Sequence, residues 1–267
     1  MSHLLREHAP ITEAGWWLID DEARERLQPA LAARRLVDFA GPHGWQRSST
    51  NLGRVRALAG GAGDGVSASQ RRVLEMVELR ASFAVARSEL RDADRGAGDI
   101  DLDTLDRAAR AIAAAENRAV FHGLKSAAIT GITEASTHKA IALGKDCERY
   151  PRHVARAVEA LLDAGVGGPY GLALGPEIYT RVLQTAEHGG YPLLDHVREI
   201  VGGPIVWAPG LDGGVVVSQR GGDFVLEIGE DLSIGYERHD AEVVELYIEE
   251  SLTFRVLTED AALALTG

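Results

Sequence analysis

The feature that most constrains the fold is a long alternating stretch near the end of the sequence, EVVELYIEESLTFRVL at residues 242–257. Apolar side chains occupy almost every second position from Val244 to Val256, which predicts a β-strand with one buried face. Sixteen residues at about 3.3 Å each span about 50 Å, whereas a typical strand has about 5–6 residues. Glu250 lies on the apolar side, so we expect a β-bulge or a contact with another subunit there.

Residues 47–80 are predicted to form an extended arm that lacks a core of its own. Two strand-like flanks enclose the glycine-rich tip Gly60–Gly65, where the chain must turn. The first flank holds Arg54 and Arg56, and the second holds two more arginines, with few large apolar residues in either. Because an isolated two-stranded hairpin is only marginally stable in water, we expect this arm to pair with something else.

The remaining segments indicate an α+β chain. Residues 20–36 read as a charged helix weakened by Pro29, and residues 99–122 give the clearest amphipathic helix. From residue 136 to residue 220, short helices alternate with short buried strands such as YGLAL, IVWAP and GVVVS. This pattern predicts a compact α+β subdomain.

Composition excludes several classes of protein. The 267 residues are 45% hydrophobic and 25% charged, which is ordinary for a globular chain. A formal net charge of −12 argues against general nucleic-acid binding, and no apolar run approaches signal-peptide or membrane-span length. The single cysteine, Cys147, builds no disulfide framework, so a reducing cytoplasm is expected.

The acidic stretch GGDFVLEIGEDLSIGYERHD at residues 221–240 raises the question of acid–base chemistry or a metal site. Alternation around Phe224, Leu226 and Ile228 instead places the acids on strand exteriors and in turns, with Glu227 pointing outward. His239 then falls in a turn before the long strand, where a histidine is more often solvated than catalytic.

Enzymatic alternatives rest on isolated residues. Glu134 and His138 are four apart, but no histidine pair has metal-ligand spacing, so no metal or cofactor is predicted. No Gly-x-Ser-x-Gly elbow occurs. Cys147 lies in a charged segment near His138 and His153, so a soluble hydrolase or metal enzyme using Cys147 or His239 stays open as an alternative.

The stretch AEHGGYPLLDH at residues 186–196 is predicted to be a polar loop between two helices. Glu187 and His188 are followed by the pair Gly189–Gly190 and by Tyr191. The loop is either a simple connector or the lining of an opening, where a ring of charge and imidazole filters ions. Sequence alone does not separate the two.

Several segments together resemble the encapsulins, bacterial nanocompartment shell proteins once described as linocin-type bacteriocins. The matching stretches include LREHAPITEAGW, RRLVDFAGPHGW, VELRASF, AVFHGL, GPYGLAL, GYPLLDHV, IVWAPGLDGGVVVSQRGGDF, LEIGEDLSIGYERHD and LYIEESLTFRVLTEDAAL. The likeness is collinear over nearly the whole chain.

This resemblance implies the tailed-phage capsid-like fold. The expected parts are an N-terminal helical region and part of the peripheral domain at 1–46, an extended arm (E-loop) at 47–80, the peripheral domain with its long helix at 81–135, an apical domain at 136–220, and C-terminal strands of the peripheral domain at 221–267.

The resemblance also implies a function. Such subunits are not enzymes; they self-assemble into an icosahedral shell, the smallest of sixty copies. The shell encloses a cargo enzyme, commonly a dye-decolourising peroxidase or a ferritin-like protein, that has a C-terminal targeting peptide. A tailed-phage capsid subunit shares the fold and is the main alternative.

Site residues follow by position from the family. The family binds its cargo peptide in a groove between the N-terminal helical region and the peripheral domain. By position, the resemblance implies that the peptide-binding residues here are Arg34, Val37, Asp38, Phe39 and Tyr247. Its fivefold pore implies a lining of Glu187, His188, Gly189, Gly190 and Tyr191. Some members bind a flavin against an aromatic residue near position 88, but this chain has Ser88, so no flavin is predicted.

Overall fold

The computed structural model describes residues 2–59, 62–186 and 190–267. Within these ranges the chain forms two five-stranded sheets and a separate two-stranded hairpin. The helices are α1 (Glu13–Ala30), α2 (Arg87–Asp94), α3 (Asp103–Phe121), α4 (Ile132–Ala135), α5 (Tyr150–Asp163), α6 (Pro176–Gln184) and α7 (Leu193–Val201). The strands are β1 (Asp38–Ala40), β2 (Ser49–Ala57), β3 (Ser69–Glu75), β4 (Val77–Ala86), β5 (Ile141–Ala142), β6 (Tyr170–Leu174), β7 (Ile205–Trp207), β8 (Gly214–Ser218), β9 (Phe224–Ile228), β10 (Ser233–His239), β11 (Val243–Val256) and β12 (Ala262–Thr266).

The long alternating stretch forms the central strand of the first sheet. β11 has 14 residues and pairs with β4 along one side and with β10 and β9 along the other. Val244, Leu246 and Ile248 lie in one buried cluster with Leu27 of α1 and Ile112 of α3. The predicted long strand with one buried face is therefore confirmed.

Glu250 interrupts the apolar face of β11 without a bulge. Pairing of β11 with β4 is continuous past this position, and the irregularity in the sheet lies on β10 between Tyr236 and Arg238. Glu250 is fully buried, and its Oε2 accepts a hydrogen bond from Arg34 Nη2 at 3.0 Å. The predicted bulge or subunit contact is wrong, because Glu250 is buried inside its own chain and pairs there with an arginine.

Two acids of the stretch 221–240 are buried rather than outward. Glu227 accepts a 2.7 Å hydrogen bond from the Thr50 hydroxyl, and Arg255 lies 3.5 Å from its other oxygen. Asp223 is held by both ends of the Arg220 guanidinium at 2.8 and 2.9 Å. The outward placement of Glu227 is wrong, because partners distant in sequence satisfy its charge.

The N-terminal helix begins earlier than the sequence predicts. α1 starts after Thr12, whose hydroxyl accepts a hydrogen bond from the backbone N–H of Gly15 and so caps the helix. Pro29 lies in the last turn, and the chain leaves the helix after Ala30, with only a short 3₁₀ turn following. The predicted helix over 20–36 is therefore shifted towards the N-terminus.

The second sheet has the strand order β5-β12-β8-β6-β7. The predicted strands YGLAL, IVWAP and GVVVS form β6, β7 and β8, and α5, α6 and α7 form where helices were predicted. β12 pairs antiparallel with β8, so the segment 221–267 divides between the two sheets.

The long predicted helix forms α3, which buries Leu105, Ile112 and Val120 between the first sheet and neighbouring elements. Within the described part of the chain, no helix is both long and apolar enough to cross a membrane.

The arm is a hairpin of β2 and β3, which pair with each other and with no other described strand. Val55 and Val73 are exposed on it, at 65% and 44% of their surface. The hairpin ends at Glu75, because residues 77–80 already pair with β11 as the start of β4.

Candidate functional site

A groove of about 460 Å³ lies between α1 and β10, and we call it the α1–β10 groove. Its apolar lining is formed by Leu4, Ala23, Leu27, Leu31, Leu232, Ile234 and Ile248. Charged side chains, among them Asp20, Arg24 and Arg34, also line it. The groove is thus suited to a short chain segment with apolar side chains and polar groups along its length.

Arg34 lies at this groove, and its guanidinium contacts three carboxyl groups. Its Nε donates to Glu116 Oε2 at 2.7 Å, its Nη1 to Asp231 Oδ1 at 2.7 Å, and its Nη2 to Glu250 Oε2 at 3.0 Å. Charge-assisted hydrogen bonds of this kind are among the strongest in proteins. Arg34 therefore fixes the junction of α1, α3 and β11.

Glu116 and Glu250 form a buried carboxyl pair under Arg34. Neither has any exposed surface, and their Oε2 atoms lie 2.6 and 3.0 Å from the same Nη2. Burial first, and then the charge of Glu116, raise the pKa of Glu250 well above its usual range. A proton on Glu250 reduces the number of carboxylate charges that one guanidinium must balance.

The predicted residues after Arg34 lie beside the groove rather than in it. Val37 and Asp38 line a separate crevice of about 120 Å³, and Asp38 accepts a hydrogen bond from the Gly222 N–H at 2.6 Å. Phe39 is 39% exposed, with its ring centroid 5.1 Å from the Arg34 guanidinium. Phe39 is thus the most accessible apolar member of the predicted set.

Tyr247 lies on the opposite face of the first sheet from Arg34. Side chains alternate along a strand, and Glu250, three positions away on β11, contacts Arg34. The Tyr247 ring instead lies 3.5 Å from the Arg80 guanidinium and packs closely over Gly235. The structure therefore does not bring Tyr247 together with the other predicted peptide-binding residues.

Sequence reasoning missed most of the apolar lining of the groove. Leu27 and Leu31 belong to the predicted stripe of the first helix. Leu232, directly before β10, and Ile234 on β10 belong to one alternating apolar pattern. The periodicity of both elements is visible in the sequence, but their juxtaposition is not.

The arm presents arginines on one side. Arg54 is paired directly with Arg72, and Arg56 lies opposite Gln70, which accepts its 2.8 Å hydrogen bond. Among the described residues, none of these three arginines has a carboxylate partner. Like charges directly opposite each other destabilise a hairpin, so an acidic partner surface would stabilise this one.

The predicted pore loop is described only at its ends. Glu187, His188 and Gly189 lie outside the described residues. Ala186 pairs with Pro192 across the base of the loop, and Gly190 has a positive φ of 83°. Tyr191 is 44% exposed, and its hydroxyl donates to Glu199 at 2.9 Å.

The residues of the enzymatic alternative are not brought together. Cys147 starts a short 3₁₀ turn and its thiol lies 3.9 Å from the Lys145 carbonyl. His239 is exposed, with Nδ1 2.6 Å from the Tyr236 hydroxyl. Among the described residues, no three histidine, cysteine or acidic side chains are grouped to hold a metal ion.

Comparison with known proteins decides between the remaining alternatives. Residues 1–253 match the family Linocin_M18, described as "Encapsulating protein for peroxidase". The type 1 encapsulin shell protein of Rhodospirillum rubrum is 49% identical over 100% of this chain and 97% of its own length. The chain belongs to this family.

The structural neighbours of this encapsulin chain show the capsid fold. A virus-like particle from Pyrococcus furiosus has a TM-score of 0.63 at 17% identity, over 94% of this chain and 98% of that chain. The capsid of Myoviridae phage XM1 has a TM-score of 0.51 at 10% identity, over 86% and 89% of the two chains. The predicted family and tailed-phage capsid-like fold are confirmed, and the encapsulin is a shell subunit that assembles with copies of itself.

Proposed function

We propose that this chain closes into an icosahedral shell of sixty copies around a cargo enzyme, which is bound through a C-terminal targeting peptide. A peroxidase is favoured as cargo because the family description names one, and a ferritin-like protein is the second candidate. The observation that supports assembly most directly is the arm. It is a hairpin with exposed valines and with arginines that contact no carboxylate among the described residues, on a chain of net charge −12.

We propose that the positively charged arm of one copy binds a carboxylate-bearing face of the first sheet of another copy. The face of this sheet turned away from α1 and α3 holds Glu78 and Glu237, both exposed. Burial first, and then carboxylates that include Glu249, Glu237 and Glu78, raise the pKa of Tyr247 on the same face. Arg80 and Arg238 on this face are already paired with Glu249 and Glu245. The exposed carboxylates of Glu78 and Glu237 can therefore complement the guanidinium groups of the arm.

Charge exchange tests this contact. The double variant Arg54→Glu with Arg72→Glu should leave folded chains that do not close into particles, and Glu78→Arg with Glu237→Arg should do the same. The four substitutions together should restore particles in negative-stain micrographs, because the attraction is rebuilt with opposite signs. Normal particles from the first double variant would show that these arginines are dispensable. If the fourfold variant formed no particles, the arm would have to contact a surface other than the one that holds Glu78 and Glu237.

The α1–β10 groove is proposed to bind the targeting peptide. Because the Arg34 guanidinium is already engaged by three carboxylates, recognition falls to the apolar lining, with Asp20 and Arg24 as polar contacts at its edge. Val37, Asp38 and Phe39 are proposed to extend the site past Arg34, with exposed Phe39 as an additional apolar contact.

Cargo content of purified shells tests the groove. Shells isolated from the native host should contain a co-purifying enzyme, and Leu232→Asp should lower its amount about tenfold while shells still form. A charge in an apolar groove disfavours apolar side chains of the peptide. Leu183→Asp, at an exposed position of α6, is the matched control and should leave cargo content unchanged. Equal cargo in both variants would remove the groove from the site.

The loop that includes Gly190 and Tyr191 is proposed to surround a fivefold opening. Symmetry would turn Glu187 and His188 into rings of five charges or imidazoles, and the glycine pair would permit the loop to move. Replacing both residues with alanine should change the rate at which a charged substrate reaches the cargo, relative to a neutral one. Identical rates for both substrates in mutant and parent shells would show that the loop does not filter entry.

A further inference from the structure

The segment from Ser2 to Arg6 forms one wall of the α1–β10 groove, and we call it the strap. Leu4 and Arg6 line the groove. The Leu4 carbonyl accepts a hydrogen bond from the backbone N–H of Tyr236 at 2.8 Å. β10 is an edge strand of the first sheet, so the strap occupies backbone positions that an incoming segment would use.

One end of the strap is anchored to α1. Arg6 Nη2 donates to Asp20 Oδ2 at 2.7 Å, and the Arg6 guanidinium lies 3.9 Å from the Trp16 ring centroid. Both members of the ion pair keep about a third of their side-chain surface exposed, at 31% and 35%. A partly solvated pair of this kind contributes little to stability and is readily exchanged.

The other end is anchored beneath β11. The His3 ring stacks on Trp45 with centroids 4.5 Å apart, and its Nε2 lies 3.1 Å from Glu249 Oε1 and 3.8 Å from Glu230 Oε1. Glu249 is shared with Arg80, which donates to its other oxygen at 3.1 Å. Trp45 is 53% exposed, whereas the side chains of His3 and Glu249 keep only 19% and 3% of their surface exposed, so this anchor is the more buried of the two.

Between the two anchors, Leu5 adopts a left-handed backbone conformation, with φ 50° and ψ 24°. This conformation places Cβ close to a carbonyl oxygen and is unfavourable for a residue with a branched side chain. The Leu5 side chain is 38% exposed, so burial does little to offset that cost. The closed strap is thus opposed by its own backbone and is held by two side-chain anchors and one backbone hydrogen bond.

We propose that the strap is a gate of the α1–β10 groove, which swings away from β10 about Leu5 before the targeting peptide enters. This inference rests on the proposed function, because it takes the groove to be the cargo site. A closed gate lowers the apparent affinity for cargo by the fraction of time that the groove is open.

Substitutions at Leu5 shift the gate in opposite directions. Leu5→Gly removes the steric cost of a positive φ and favours closure, whereas Leu5→Pro excludes it, because proline fixes φ near −65°. Leu5→Ala retains Cβ and the steric cost, so it is the matched control for loss of the side chain. Hydrogen exchange of the Tyr236 amide in assembled shells reports opening directly, since Leu4 protects that group.

We expect exchange at Tyr236 to be about threefold slower in Leu5→Gly and at least tenfold faster in Leu5→Pro, with Leu5→Ala near the parent. The amount of cargo per shell is measured after co-expression with the enzyme that co-purifies from the host. It should be higher in Leu5→Pro than in the parent, and lower in Leu5→Gly than in the parent. If Leu5→Pro does not assemble, the comparison of Leu5→Gly, Leu5→Ala and the parent still tests whether Leu5 controls the gate.

Two outcomes would overturn the gate. Equal Tyr236 exchange in all variants would mean that Leu5 does not control the strap, and altered exchange with equal cargo would mean that the strap does not control the groove. Absence of cargo from every shell, including the parent, would instead refute the proposed enclosure of that enzyme, while the exchange data would still report on the strap.

Discussion

The arm and the centre of the first sheet satisfy their charges in different ways. Arg34, at the centre, donates to three carboxylates of its own chain, two of them fully buried. Arg54 and Arg72, on the arm, face each other with no described carboxylate in contact. The guanidinium at the centre is therefore paired within one chain, whereas we propose that the arm is completed by a second chain.

The two regions differ in the same way in their apolar surface. Leu246 and Ile248 of β11 have no exposed surface, because α1 and α3 cover them. Val55 and Val73 of the arm remain largely exposed. A substitution at the centre should thus change the stability of the isolated chain, and a substitution on the arm should change assembly.

The largest effect is expected at Arg34. Arg34→Ala leaves Glu116 and Glu250 buried without a counter-charge and should cost about 3–5 kcal/mol of unfolding free energy. Arg54→Ala, the matched change on the arm, should stay within about 0.5 kcal/mol, since exposed unpaired residues contribute little. Urea unfolding at fixed protein concentration measures both. Similar losses for the two variants would abolish the distinction between the regions.

A smaller effect is expected from close packing. In Gly235→Ala the new Cβ would lie 2.1 Å from the Tyr247 ring, so the ring must move, at a cost of about 1–3 kcal/mol. Gly65→Ala, at the arm tip, meets no atom within 4 Å but keeps a φ of 75°, and should cost about 1 kcal/mol through backbone strain alone. If urea unfolding showed a smaller loss of unfolding free energy for Gly235→Ala than for Gly65→Ala, the tight packing of Tyr247 over Gly235 would be refuted.

The third effect is a pH dependence at the centre. Burial raises the pKa of Glu250 in the folded chain, so the native state binds more protons there than the unfolded state. Its contribution to stability is complete below about pH 4.5 and is lost as pH rises towards the raised pKa, by at most about 1.4 kcal/mol per pH unit.

Comparing Glu250→Gln with its parent isolates this dependence. Glutamine keeps the neutral form at every pH, so the variant should gain stability relative to the parent as pH rises from about 4.5 to 8. Glu242→Gln, an exposed control, should follow the parent. A constant difference between Glu250→Gln and the parent would mean that the pKa of Glu250 is the same in the folded and unfolded chain.

Local periodicity predicted most of the elements, but not the partners across the fold. The period-two pattern of 242–257 predicted β11, and the short runs of 136–220 predicted their strands and helices. Glu250 was misinterpreted because its partner, Arg34, is 216 positions away in sequence. Thr50 and Glu227, which are 177 apart, show the same limit.

The candidate site was predicted only in part for a related reason. Alternation alone places Tyr247 and Glu250 on opposite faces of one strand. Which face meets α1 and Arg34 depends on the packing of the helix, which no local pattern encodes. Leu27 and Ile234 likewise belong to clear apolar stripes, but only the fold shows that a groove separates them.

The central claim, that the chain builds a closed shell through its arm, is tested most directly by native mass spectrometry of the purified protein. The account predicts one closed species of sixty subunits for the parent, and only small species for Arg54→Glu with Arg72→Glu, whose urea unfolding should match that of the unassembled parent chain. A parent protein that remains monomeric or dimeric, or a closed sixty-subunit shell formed equally by the double variant, would contradict it.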